Sequence, residues 1–310
     1  MERPLGALFG FISSPLSGII SDVKYTVLLY YKYIDVGQPE KERQAQLNIC
    51  RQLGLKGRIL IGSEGINGTV AGTKEATDQY ISYMNGHESF RDIDFKVDQT
   101  DIDSFPRLRV KTRPEIVALN SNDEVTADKG AVKLSPEEFH KMVSEENVIL
   151  FDARNNFESA IGKFRNAVTP DIEHFRELPK ALDEYEDLKD KKIVTYCTGG
   201  IRCEKASALM KQKGFKDVYQ LEGGIIKYGQ QYPDGYFQGK CFVFDERMSV
   251  AFTDNPQVLG SCIHCEEATD SYLNCGDPNC NKLILVCDSC QAKTHFCSKE
   301  CESELSQSAT

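Results

Sequence analysis

Two groups of residues in this chain have the types and spacing to do chemistry. The first is Cys197-Thr198-Gly199-Gly200-Ile201-Arg202, preceded by the β-branched and aromatic run 193–196 and followed by the helix-compatible stretch 205–213. A strand ending at a cysteine, a glycine-bearing turn and an immediate helix start make an anion cradle. Successive backbone N–H groups converge on one point, and the first helical turn adds unpaired donors and the positive end of its dipole. A thiolate there is stabilised against its thiol, and Arg202 adds a positive charge close by. Cys197 therefore reads as a nucleophile; without the glycines and the arginine, a half-buried structural cysteine would be the better reading. Cys203, on the first turn of the helix, reads either as a resolving thiol for Cys197 or as a small buried residue.

The second group holds eight of the twelve cysteines, in four short-spaced pairs: Cys262 with Cys265, Cys275 with Cys280, Cys287 with Cys290, and Cys297 with Cys301. Each pair puts two thiolates on one knuckle, and two pairs close a tetrahedral site, so eight thiolates suit two zinc ions, with His264 and His295 as spare ligands. Disulfides or an iron–sulfur cluster are the alternatives. Closed all-cysteine sites are structural, so the segment is expected to fold on metal and to supply a binding surface. The other four cysteines are scattered, which suits a reducing compartment, with the cytoplasm as the default.

These groups need positioning elements. The continuous apolar character of 23–33 predicts a strand, and Ala45, Ile49 and Leu53 lie at helical spacing ahead of a C-capping Gly54. Strands over 57–62 and 69–71 flank the glycine-rich turn 64–68, a helix runs from Thr73 to Met84, and strands over 95–98 and 108–111 complete the set. In Glu64-Gly65-Ile66-Asn67-Gly68-Thr69, Asn-Gly is a hairpin signal in its own right, and a recognition role is the other reading. Strand-helix-strand-strand-helix-strand is the order of a ferredoxin-like α+β sandwich. Residues 120–131 are polar and read as a linker, and Ser135, Pro136 and Glu138 then stand at the N-cap, first and third positions of a helix. From there strands over 148–151, 193–196 and 218–221 alternate with helical stretches over 176–188, after Arg202 and after Gly224, the pattern of a parallel α/β domain. Reactive groups in such sheets gather beyond the carboxyl ends of the strands, where Asp152, Arg154 and Cys197 all fall. Asp152 and Arg154 read first as an internal ion pair and second as substrate contacts. His174, beside Phe175 and Arg176, could line the same pocket or simply be exposed.

The 310 residues suffice for two or three domains, and a formal net charge of −10 argues against indiscriminate nucleic-acid binding while leaving room for a local basic patch. Arg107, Arg109, Lys111 and Arg113 supply one: at a period of two they share a strand face, either a solvated face or a phosphate-contacting stripe. Residues 5–20 are apolar, but Pro15 interrupts them and they fall short of the ~20 needed to span a bilayer, so a loosely packed extension is expected ahead of a targeting role, and no membrane partner.

The loop from Cys197 to Arg202 resembles the active-site loop of a rhodanese domain, as does Ile149-Leu150-Phe151-Asp152-Ala153-Arg154 with Glu158. The longer string through Cys203-Glu204-Lys205 is similar to that of the rhodanese-containing tRNA wobble-uridine hydroxylases, together with 64–69, Phe175-Arg176-Glu177-Leu178-Pro179 and 239–247. The resemblance implies oxygen-dependent conversion of the tRNA wobble uridine to 5-hydroxyuridine, an oxidoreductase reaction with molecular oxygen as co-substrate and Cys197 matching the essential cysteine. Four residues separate the cysteine from the arginine, one fewer than in cysteine phosphatases of related fold, which favours a sulfur atom over a phosphoryl group. A sulfurtransferase working through a cysteine persulfide is the alternative enzyme, and a non-catalytic rhodanese and zinc-knuckle scaffold the alternative outside enzymes. The fold class expected is α/β with α+β: an N-terminal extension (1–22), a ferredoxin-like domain (23–120), a linker (121–131), a rhodanese-like parallel α/β domain (132–240) and a Cys-rich zinc-binding segment (241–310).

Overall fold

Alternation along the first strand sets the architecture. In the computed structural model, which describes residues 25–121, 125–145 and 148–308, β1 (Tyr25–Tyr33) turns Leu28 and Tyr30 into a core beneath α1 (Pro39–Gln52) and α2 (Lys74–Gly86). Val27, Leu29 and Tyr31 point to the opposite, helix-free face. With β2 (Lys56–Gly62), β3 (Gly65–Gly72), β4 (Lys96–Thr100) and β5 (Leu108–Thr112), β1 forms a sheet of order β4-β1-β3-β2-β5. The first four strands are antiparallel in ferredoxin-like order, and β5 is added parallel to β2. The expected extension 1–22 lies outside the described residues, as do 122–124 of the expected linker.

One expectation is corrected here. The hairpin between β2 and β3 does not turn at Asn67-Gly68: Gly62 pairs with Gly65, so Ser63 and Glu64 form the turn, and Asn67 and Gly68 lie within β3. Space decides this. A Cβ at position 68 would stand 2.3 Å from the ring of Tyr30 in the neighbouring strand, so the glycine serves close packing. Asn67 Nδ2 donates to Ile116 O at 2.9 Å, pinning the chain that leaves β5.

The second domain is a four-stranded parallel sheet of order β6-β10-β9-β7, from β6 (Val132–Leu134), β7 (Val148–Asp152), β9 (Lys192–Tyr196) and β10 (Asp217–Leu221). It is wrapped by α3 (Pro136–Val143), α4 (Asn156–Ile161), α5 (Leu178–Ala181), α6 (Ile201–Gln212) and α7 (Gly224–Gln231), while short β8 (Gly162–Phe164) pairs with β11 (Phe237–Gly239) at the edge. Ser135 and Glu138 exchange hydrogen bonds in a capping box at α3. The helix expected over 176–188 is instead three short helical pieces. Tyr185 leaves helical backbone, and its ring packs edge-on against Phe151 at 5.4 Å.

The remaining chain adds β12 (Cys241–Phe242), β13 (Ser249–Val250), β14 (Tyr272–Asn274) and β15 (Leu283–Leu285), with most of the cysteines around the last hairpin. Phe242, Tyr272 and Leu285 pack on Phe157 and Ile161 of α4, so the Cys-rich part is seated on the α/β domain. Among the described residues no helix is long and apolar enough to cross a membrane.

Candidate active site and cysteine clusters

The strand-to-helix turn after β9 forms as its residues require. Gly200 takes a φ of +100°, and its N–H donates to Cys197 Sγ at 3.2 Å. The start of α7 props the loop from behind: Ile225 N–H donates to Cys197 O at 2.9 Å and Ile226 N–H to Thr198 O at 3.1 Å. Burial pushes the Cys197 thiol up, but the hydrogen bond from Cys203, the charge of Arg202 and the N–H groups of Arg202 and Cys203 outweigh it and bring the thiol down to about 6. The contrast with the other cysteines outside the clusters is sharp. Burial alone pushes Cys50 up to about 12, and mainly burial does the same for Cys241. Cys203 is held up by burial and by the neighbouring Cys197. Of these four, only Cys197 is poised as a thiolate near neutral pH.

Arg202 is anchored. Its Nη1 and Nη2 donate to the two oxygens of Glu158, the latter at 2.8 Å, and Thr198 Oγ1 donates to the same carboxylate at 3.3 Å. Both side chains are buried, and Glu158 keeps the guanidinium charged against the cost of burial. Arg202 is thus a fixed cation beside the sulfur. Asp152 and Arg154 form a fully buried ion pair, with Arg154 Nε to Oδ1 at 2.9 Å and Nη2 to Oδ2 at 2.6 Å; Nη2 also donates to Gly162 O at 2.7 Å. Neither lines the cleft over Cys197.

That cleft, about 510 Å³ in volume, lies between the loop and the helix-free face of the ferredoxin-like sheet. The two surfaces touch: a Cβ at Gly199 would lie 2.9 Å from Leu29 Cδ2, and one at Gly200 would lie 2.9 Å from Tyr31 Oη. Tyr31 Oη donates to Glu204 Oε1 at 3.0 Å, and buried Lys205 on α6 donates to Glu64 Oε1 at 2.9 Å, Glu115 Oε2 at 2.7 Å and Val117 O at 3.2 Å. Glu64 of the glycine-rich motif is therefore half of a clamp between the two domains. The third wall comes from Val243, Phe244 and Arg247, where Arg247 bridges Asp245 and Asp98 of β4. His174 is exposed and lines the cleft. Phe244 falls in the 239–247 string that carried the resemblance, whereas Leu29 and Tyr31 of β1 and Lys96 of β4, which also line the cleft, carried no motif. The continuous apolar run of β1 was the only available signal, and it marks a strand without saying what either face meets.

Leu108 and Val110 turn inward from β5, so Arg109 and Lys111 project with Arg58 of β2, the register partner of Arg109, from the face that bears the cleft. Arg113 and Arg176 stand at its rim, and Arg107 is exposed beyond the strand. None of these cations is in an ion pair among the described residues.

The eight distal cysteines gather into two sets, Cys262, Cys265, Cys287 and Cys290, and Cys275, Cys280, Cys297 and Cys301, each with its sulfurs within 4.8 Å of one another. Each set combines alternate pairs, so the chain crosses between them. Four thiolates at that separation fit a tetrahedral metal with sulfur at ~2.3 Å. Neither His264 nor His295 joins a set.

Three family models match in succession: a UPF0176 acylphosphatase like domain over residues 25–116, a rhodanese-like domain over 135–231 and a rhodanase C-terminal region over 238–302. Proteins named tRNA uridine(34) hydroxylase match nearly end to end. That of Bacillus licheniformis is 44% identical over 284 residues, covering 90% of this chain and 88% of the relative. That of Staphylococcus carnosus is 45% identical over 283 residues, covering 89% of each, and that of Cytophaga hutchinsonii is 42% identical over 280 residues, covering 90% of each. With identity at this level across both domains and the Cys-rich part, the chain belongs to the tRNA uridine(34) hydroxylase family.

Proposed function

We propose that this enzyme hydroxylates the uridine at position 34 of tRNA, with molecular oxygen as co-substrate and the Cys197 thiolate as its nucleophile. The observation that carries the reading is the lowered thiol of Cys197 at the floor of a cleft with an unpaired cationic rim. An anticodon-loop base reaches the sulfur by leaving its stack, while the backbone stays outside. Arg58, Arg109, Lys111, Arg113 and Arg176 supply the charge for its phosphates. The two cysteine sets hold one zinc ion each and keep the Phe244 wall in place. A cytoplasmic location follows from a tRNA substrate and reduced thiols.

The same cradle favours a second reading, sulfur transfer through a Cys197 persulfide. Purified protein, supplied with oxygen and a reductant and incubated with tRNA from cells that lack the modification, is expected to add one oxygen atom to uridine 34, read by nucleoside mass spectrometry. Gain of sulfur instead, or thiocyanate formation from thiosulfate and cyanide with no change to the tRNA, would replace the first reading by the second.

Replacing Arg109 and Lys111 by alanine is expected to weaken tRNA binding and to flatten its dependence on salt by roughly one unit of logarithmic slope per lost phosphate contact, with folding intact. Titrations at several salt concentrations check this, and an unchanged slope returns both residues to a solvated face.

A further inference from the structure

Lys96 is the one buried cation in the cleft whose role the preceding reading leaves open. It sits on β4 opposite Leu29, and its side chain is only 4% exposed. Its Nζ lies 4.9 Å from the ring centroid of Tyr31, the side chain that lies against Gly200 of the Cys197 loop. Its pairing is thin for a buried ammonium. Nζ reaches one carboxylate, Asp94 Oδ2, at 3.3 Å, and one carbonyl, Asp94 O, also at 3.3 Å. Asp94 is itself half exposed and is shared with Lys227 at 3.6 Å, and Lys227 has Glu222 at 2.9 Å as a closer partner. Burial draws the ammonium below its ordinary value; Asp94 and, more weakly, the Cys197 thiolate act against this, and Lys227 adds to it. Burying a charge with so little compensation is costly, and a methionine would fill the space without that cost. A cation kept there has a use that apolar packing does not supply.

The chemistry of the site names that use. Uracil is an electron-poor ring whose C5–C6 double bond is conjugated to the C4 carbonyl, and the cleft presents a thiolate to it. We propose that Lys96 is a catalytic residue, its ammonium donating a hydrogen bond to the pyrimidine carbonyl oxygen that becomes negative when Cys197 adds to the ring. In that step the S–C6 bond forms, the C5–C6 π pair moves between C4 and C5, and the carbonyl π pair ends on O4. The thiolate's charge passes to O4, no proton or electron is lost, and C5, the carbon to be hydroxylated, becomes electron-rich. A preorganised donor in a site shielded from water stabilises such an oxyanion far better than water does. The cations at the rim are placed for phosphates, whereas Lys96 is inside. The inference rests on the tRNA-uridine reading of the site.

The test compares single-turnover hydroxylation of tRNA by the full-length wild type, Lys96→Met and Asp94→Asn, with tRNA affinity and thermal unfolding measured alongside. Lys96→Met is expected to slow the reaction by about 10²–10³-fold, the scale of removing one oxyanion donor, with tRNA affinity changed less than about threefold. Asp94→Asn, which loosens the contact but keeps the ammonium, is expected to stay within a few-fold of wild type. A rate in Lys96→Met close to wild type overturns the proposal, as does an equal loss in Asp94→Asn, the mark of a purely structural clamp. Should Lys96→Met not fold, Lys96→Gln, which keeps a donor for Asp94 but is shorter and uncharged, is expected to lose rate in the same direction though less steeply, and a rate equal to wild type there overturns the proposal. A wild-type protein that hydroxylates no tRNA overturns the functional reading itself, an outcome distinct from loss in the variant alone.

Discussion

Cys197→Ser is expected to abolish uridine hydroxylation, by 10³-fold or more on the scale of removing a covalent nucleophile, and to leave the fold in place. Serine keeps the size of the thiol and an acceptor for the Gly200 N–H, now 3.2 Å from the sulfur. Its hydroxyl does not ionise near neutral pH, so the cradle gains no anion to stabilise. Stability should change by no more than the ~0.5–3 kcal/mol typical of point substitutions, which thermal unfolding checks. Full activity in this variant would remove Cys197 from the reaction. The wild-type pH profile tests the same group. With the thiol lowered to about 6, the thiolate is present above that pH and is titrated away as the pH falls through it. The rate should therefore lose about tenfold per unit on the acid side, and an ordinary thiol would place that limb well above neutrality. Cys203→Ser separates its two readings. A resolving thiol, once lost, leaves a mixed disulfide or persulfide on Cys197 visible as added mass, whereas a packing residue leaves turnover in place.

Stripping metal is the perturbation with the next largest effect. Protein purified without chelator is expected to carry two equivalents of zinc, as the two four-cysteine sets imply. Because binding free energy in such sites is folding free energy, of order 10 kcal/mol or more per ion, chelation should unfold the chain beyond about residue 260 before the rest. The loss should spread inward. Tyr272 Oη donates to Phe157 O, and Phe242 packs on Phe157 and Tyr272, so the wall carrying Phe244 loses its backing. Elemental analysis, thiol titration and hydroxylation before and after chelation check this in one preparation. Zinc-free protein with eight titratable thiols and full activity would overturn both the metal and its structural role.

Much of this protein is legible from local spacing. The strand, cysteine, glycine pair and arginine around Cys197 specify a turn that aims backbone N–H groups at sulfur, because each step follows from neighbours in the chain. The Ser135 capping box, the apolar run of β1 and the four cysteine knuckles are legible for the same reason. Asn67-Gly68 misled because a local turn signal gave way to a distant partner, the Tyr30 ring, which leaves room only for glycine.

What tertiary structure alone decided is who meets whom. Four knuckles admit several pairings, and only the path of the chain around β14 and β15 joins the first to the third and the second to the fourth. Arg202 reads locally as a free cation, yet Glu158, 44 residues away, pins it. Above all, nothing near Cys197 in sequence announces that Leu29, Tyr31 and Lys96 of another domain complete its cleft. Turns, caps and knuckles are set by contacts within a few residues, and those leave a spacing to read. Contacts across domains depend on how whole faces pack, and an apolar run such as that of β1 does not say what either face will meet.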